Sequence, residues 1–222
     1  MTEVSNLGGT FALGSWRVHR AGYGAMQLAG DGVFGPPRDR DEALRVLRTA
    51  VAAGVDHIDT AQFYGPGTVN ELIREALHPY PKGLAIVSKV AARRDPDGAL
   101  VRFDEPHQLR QGIEDNLTTL GTDRLAAVNL RVMDPSETPG RRFDAQLAAL
   151  IKARDEGLID GIALAAPATR LGATPAQIAL AWLLDLAPNI LLIPGTRTRA
   201  HLTENLAAAE IRLDEAARAA LA

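Results

Sequence analysis

The 222-residue chain contains no cysteine. Disulfides, thiolate metal sites and cysteine nucleophiles are thereby excluded, and a reducing, cytoplasmic setting is the expectation. It also lacks an excess of charge: 24 Lys and Arg against 27 Asp and Glu leave a net −3. That gives no electrostatic basis for binding nucleic acid or an acidic membrane surface. No apolar run approaches the ~18 residues of a membrane span. The opening stretch MTEVSNLGGTFALGSW has neither the basic nor the apolar segment of a signal peptide. The nucleotide and hydrolase motifs G-x-x-x-x-G-K-S/T, H-E-x-x-H and G-x-S-x-G are missing, and the five histidines (19, 57, 78, 107, 201) show no metal-ligand spacing. No metal is expected.

What is present is an alternation. TFALGSWRVHRAGYGAM (10–26) has two short β-like runs around Gly14-Ser15, which predicts a hairpin, and a third run ending at Gly24. Helical periodicity follows at 39–55, with apolar residues at 43, 44, 47, 50 and 51. Then DHIDTA predicts a strand, TVNELIREALHPY a helix stopped by Pro79 and Pro81, and GLAIVSKV (83–90) a strand. The pattern continues with helix 105–124, strand 125–132, helix 143–158, strand 159–166, helix 174–188, strand 189–196 and two closing helices. No linker or low-complexity tract interrupts it, so 1–222 is expected to be a single domain. Regular β–α alternation means a parallel sheet with helices outside. An open dinucleotide-binding sheet would carry G-x-G-x-x-G after its first strand, and AGYGAMQLAG does not have that spacing.

Three charged residues fall at the C-terminal ends of successive strands: Asp59, Lys89 and Arg131. Barrel enzymes place their chemistry at that end. A single such residue is commonly a solvated strand end, and Asp59 with Lys89 has the alternative of a structural ion pair. The glycine- and proline-bounded loop after Asp59 adds Tyr64. A phenol has an ordinary pKa near 10; a neighbouring ammonium is expected to lower it, and a carboxylate to keep that ammonium charged. Asp59, Lys89 and Tyr64 together then form a proton donor for a developing alkoxide, if a cofactor supplies hydride.

These residues resemble the aldo-keto reductase family, NADPH-dependent (β/α)8 TIM-barrel enzymes. The resemblance runs in family order through GVDHIDTAQFYG, IVSKV, NLRVMDP, ATPAQIALAWLL and IPGTRTRAHLTENL, and the N-terminal hairpin fits the family's plug on the barrel floor. It implies reduction of an aldehyde or ketone to an alcohol, with Tyr64 as general acid and Asp59 orienting Lys89. Arg131 stands where the family has a histidine; it can also pair with Asp134 or Glu137. For the cofactor, the resemblance implies Gly24, Ala25 and Met26 near the nicotinamide ribose. It implies Gly195, Thr196, Arg197, Arg199, Glu204 and Asn205, besides Asp59, along the rest of NADPH. A cationic residue is usual at Gly195, and an arginine at His201. The partner implied is a small carbonyl compound.

The resemblance also exposes a gap. Only six repeat strands can be counted, near 21, 58, 86, 128, 162 and 192, where the fold needs eight. After GIAL the family reads Ser-Asn, against Ala165 and Ala166 here, and AAPATRLGATPAQ runs straight into the next helical pattern. About 60 residues, two βα units, are missing at about 164–169. Either the peptide breaks between Leu164 and Thr169, the favoured expectation, or it is continuous with its open edge covered. A non-catalytic barrel remnant with a binding or regulatory role is the alternative function.

Overall fold

The computed structural model describes residues 7–131, 141–165, 184 and 190–210. The expected helices at 174–188, apart from Leu184, and at 213–222, the junction at 166–169, and Asp134 and Glu137 lie outside the described residues.

The hairpin forms as its sequence predicts. Strands β1 (Thr10–Leu13) and β2 (Trp16–His19) pair antiparallel, Leu13 facing Trp16. Gly14, at φ 59°, takes the first central position of the two-residue turn, where positive φ is needed. Val18 packs on Ala85 and Ala126, with Trp16 and Leu191 around them, so the hairpin closes the floor under the sheet. The Trp16 indole donates to Asp160 at 2.7 Å and fixes the hairpin to the start of the fifth repeat strand.

The main sheet contains β3 (Tyr23–Gly24), β4 (His57–Asp59), β5 (Ala85–Arg94), β7 (Leu125–Arg131) and β8 (Ile159–Ala165), all parallel and in that order; β6 (Leu100–Phe103) runs antiparallel beside the end of β5. Helices α1 (Arg40–Ala52), α2 (Thr68–Leu77), α3 (Pro106–Leu120) and α4 (Arg141–Asp155) alternate with the strands, and α5 (Arg199–Ala207) follows the last sheet segment. The bounds of two of them are readable in the sequence. Asp39 caps α1 by accepting from Glu42 N at 2.8 Å; Pro106 opens α3 within a Glu105/Gln108 capping box; Gly121, at φ 66°, ends it. The apolar stripes of these helices bury Leu47, Leu72, Ile73, Leu109, Ile113 and Leu150 against Ile58, Ile86 and Val128 in one continuous core.

Two expectations need correction. Of the strand expected at 189–196, the described residues 190–196 do not form a full strand: two isolated bridges, Ala21 to Leu192 and Gly24 to Gly195, tie them to the first repeat strand. Pro194 supplies the reason, since it has no N–H to donate to a ladder. The bridges place this segment beside the first repeat strand, on the side away from β4. Their closeness needs glycine on both sides: a Cβ on Gly24 would sit 2.3 Å from Ile193 O, and one on Gly195 2.8 Å from Gly24 O. The second correction is β5, which runs past Val90. At Ala91, buried and at φ 82°, it leaves β7 and turns up into a hairpin with β6. The turn is Asp95-Pro96-Asp97-Gly98, with the Asp95 carboxylate accepting from Asp97 N and Ala99 N. Among the described residues, β8 pairs only with β7, so its other edge faces the side where the missing strands would stand.

A buried amide network sits behind the C-terminal ends of β4 and β5. The Asn70 side chain accepts from Thr60 Oγ1 at 2.7 Å and donates toward Gln62, Asn116 and Thr119; Ser88 Oγ donates to Asn116 at 2.6 Å. Asn70 and Asn116 are fully buried, so each lost partner leaves a polar group without water. Asn70→Ala should therefore cost about 3 kcal/mol, the penalty for orphaning two or three such groups. Urea denaturation reads it; a midpoint equal to that of the wild type would contradict the network's role.

Candidate active site

Strand β4 ends in His57-Ile58-Asp59, all buried, because its flanks are covered by β3 and β5. Asp59 is 4% exposed and receives a hydrogen bond from the Lys89 ammonium on β5. Lys89 also donates to Thr60 O at 3.2 Å. The other carboxylate oxygen accepts from the Asn129 amide at 3.3 Å. Asn129 faces Lys89 across the β5–β7 register, so the pair has a third group fixing it.

Tyr64 comes from the loop after β4. Gly65 (φ 61°) and Gly67 (φ 82°) let the chain turn tightly there, and a Cβ on Gly65 would strike Gly35 O at 2.6 Å. The loop packs Tyr64 to 6% exposure, edge-on to Phe63 with ring centroids 5.3 Å apart. The Lys89 ammonium lies 5.1 Å from the centre of the Tyr64 ring. Arg131, at the end of β7, places its guanidinium 6.0 Å from the Phe63 ring, and its charge acts on Tyr64. The buried Nε of Arg131 has no hydrogen-bond partner among the described residues. The sequence-predicted quartet Asp59, Tyr64, Lys89 and Arg131 thus converges.

The electrostatics differ from expectation in one respect. Burial raises the Tyr64 phenol above its ordinary value of 10.0; the Lys89 charge pulls it back, the Asp59 charge adds to the rise, and Arg131 lowers it slightly. The expected net lowering does not occur in the free protein, because removing the phenolate from water outweighs the cations. Burial likewise raises the Asp59 carboxyl, with Lys89 opposing without cancelling it.

The expected cofactor residues divide into two groups. Gly24 is in register with Asp59 on one side and bridges Gly195 on the other, so Gly24, Ala25 and Gly195 lie beside the quartet; Ala25 is buried and Met26 is 40% exposed. Thr196 is buried, its carbonyl accepting from the Tyr23 hydroxyl at 2.6 Å. Further out, Arg197 donates to Gln27 at 3.1 Å and flanks a cavity of about 210 Å³ shared with Arg38, Glu42 and Thr198. Thr198 caps α5, accepting from His201 N at 3.3 Å. Arg199 begins that helix and bonds to Glu42; Glu204 and Asn205 lie one turn further along it. Gly195 cannot be the cation usual in the family, because the Gly24 carbonyl occupies the space of a Cβ.

A second cavity, of about 200 Å³, opens beside Lys89 and Phe63, with Pro66, Phe103 and Arg93 on its walls. The β5–β6 hairpin supplies the last two. Sequence reasoning missed Asn129 and this wall; alternation along AAVNLRV places Asn129 with Arg131 on one face and was the available signal for the first. Among the described residues no three His, Asp or Glu groups could hold a metal ion, and no helix is long and apolar enough to cross a membrane. The residues fit a nicotinamide dinucleotide at both described ends: the Arg131 Nε, without a partner among the described residues, the cationic Arg197, a helix start at Thr198, and glycine backbone between them.

Comparison with known proteins agrees with this layout. The aldo/keto reductase family model matches residues 20–170 and 163–222, two segments that meet at the expected gap. The pyridoxine 4-dehydrogenase of Escherichia coli K12 is 42% identical over 270 residues, covering 93% of this chain and 94% of that protein. Since 93% of 222 residues is about 206, roughly 64 of those 270 positions have no counterpart here. Among solved structures, an aldo-keto reductase from Bacillus halodurans in its holo form aligns at TM-score 0.76 with 15% identity, covering 95% of this chain and 94% of that one. One from Klebsiella pneumoniae in complex with NADPH aligns at TM-score 0.71 with 18% identity, covering 92% and 90%. The fold is the (β/α)8 barrel of these enzymes in truncated form, with an N-terminal hairpin. The chain belongs to the aldo/keto reductase family.

Proposed function

We propose that the protein is an NADPH-dependent oxidoreductase that reduces an aldehyde or ketone to an alcohol, with Tyr64 as the general acid. The observation that carries this reading is the convergence of Tyr64, Lys89 and Asp59 at the C-terminal end of β4 and at the point where β5 is about to leave β7. The cofactor, when bound, supplies hydride to the carbonyl carbon. The oxygen then gains charge, and Tyr64 transfers its phenolic proton to it. Lys89 stabilises the phenolate that remains, Asp59 holds Lys89 in place, and Asn129 holds Asp59. Arg131 offers to the same oxygen an Nε–H that has no hydrogen-bond partner among the described residues. The name of the Escherichia coli relative makes pyridoxal, the aldehyde of the pyridoxine couple, the first carbonyl to test. The chain is read as one domain from which two βα units are absent near 164–169; the retained quartet favours an enzyme over a remnant that only binds.

Tyr64→Phe should lower kcat for carbonyl reduction by about 10²-fold or more, since it deletes the proton donor. Cofactor affinity should stay nearly constant. Full turnover in the variant would remove Tyr64 from the role.

The protonation state has its own test. The chain has three tyrosines, and burial raises all of them: Tyr64, Tyr23, and Tyr80 to about 12. In the unfolded chain each would ionise near 10. The folded state thus holds more protons above pH 10, and stability present below that pH is lost as pH rises further. Ultraviolet titration of the folded protein should show little phenolate at pH 10, followed by alkaline unfolding. Half-ionisation of one tyrosine below pH 10 would show that the cations win over burial.

A further inference from the structure

The start of α5 already holds an anion, and it belongs to the protein. Glu42, in the first turn of α1, reaches across to α5, where its Oε1 accepts from the backbone N–H of Arg199 at 3.3 Å and from Arg199 Nε at 3.1 Å. Its Oε2 accepts from Arg45 Nε at 2.9 Å. These are the contacts a phosphate makes at a helix N-terminus: one main-chain donor and two guanidinium donors. The neighbouring N–H of His201 is taken by the Thr198 hydroxyl. The cavity of about 210 Å³ beside Glu42 carries Arg197 and Arg38 on its walls, and Arg38 is paired with Asp31. Arginines are therefore plentiful, but the one at the helix start is bound to a carboxylate.

We infer that Glu42 sets the selectivity of this site for the 2′ position of the cofactor's adenosine ribose. The inference rests on the proposed NADPH-dependent reading, with the adenosine end of the cofactor placed at Arg197 and Arg199 as the family resemblance implies. A 2′-phosphate entering beside Arg197 meets the like charge of Glu42 and must draw Arg199 away from it. A 2′-hydroxyl meets no such charge conflict and donates a hydrogen bond to the same carboxylate, the arrangement by which an acidic residue selects NAD in other nucleotide folds. Glu42 thus opposes the preference that Arg197 and Arg199 create, and it narrows the gap between NADPH and NADH. Its backbone N–H serves the Asp39 cap and is unaffected by a change in the side chain.

Isothermal titration of the purified chain with 2′,5′-ADP and with 5′-AMP tests this without any turnover. Glu42→Gln keeps size and helix-start chemistry while removing the charge. It should bind 2′,5′-ADP about tenfold more tightly than the wild type, because a charge-assisted contact is freed for the ligand, and bind 5′-AMP no more tightly. An unchanged ratio of the two affinities would overturn the inference while leaving the cofactor reading standing. The double variant Arg197→Ala, Arg199→Ala distinguishes the two failures: it should lose most 2′,5′-ADP affinity and little 5′-AMP affinity. If it binds 2′,5′-ADP as the wild type does, the nucleotide lies elsewhere, and both the site assignment and the role of Glu42 fall. The same conclusion follows if no form of the protein binds either nucleotide.

Discussion

The buried contact between Asp59 and Lys89 organises the site. Each ion alone would be too costly to remove from water at the end of an apolar strand; together, and satisfied by Thr60 O and the Asn129 amide, they are tolerated. The pair fixes the ends of β4 and β5 relative to each other. It therefore also fixes the origin of the loop that carries Tyr64 and the direction in which β5 continues into its hairpin. The neutral amide network around Asn70 supports the same loop from behind, so the phenol is held by groups that have no partner in water if they move.

A balance of opposing charge governs both ends of the proposed cofactor path. At Tyr64, burial and Asp59 favour the phenol while Lys89 and Arg131 favour the phenolate, and burial prevails. For a general acid that balance is useful: the proton stays on the oxygen until an alkoxide calls for it. At the start of α5 the arginines attract phosphate while Glu42 repels it. Between these ends lies the Gly24–Gly195 approach, whose backbones come too close for any side chain and which holds the last segment against the first repeat strand near the reacting centre.

Much of this was legible in sequence because it follows from short-range patterns. Apolar runs ending in Asp59 and Arg131 mark strand ends, whereas Lys89 lies five residues before the end of its strand; Asp39, Pro106 and Gly121 mark helix bounds. What the sequence hid was long-range or quantitative. Glu42 and Arg199 are 157 positions apart, and no local period links them. The direction of the Tyr64 shift depends on how deeply the ring is buried, which residue type does not encode. Pro194 was visible in the segment 189–196, but its effect on the ladder depended on which donors the first strand needed. The β5 extension is signalled only by Asp95-Pro96-Asp97-Gly98, a turn sequence placed a few residues beyond the apolar run.

The central claim is that Lys89 tunes a proton donor rather than serving only as a structural counter-ion. The pH profile of carbonyl reduction by Lys89→Met measures this most directly. Reduction needs the protonated phenol, so activity falls at high pH as Tyr64 ionises; removing the cation that favours phenolate must move that alkaline limb to higher pH, together with a loss in kcat of about 10²-fold. A variant that folds, loses activity and keeps the wild-type limb, or that keeps wild-type turnover, would contradict the account.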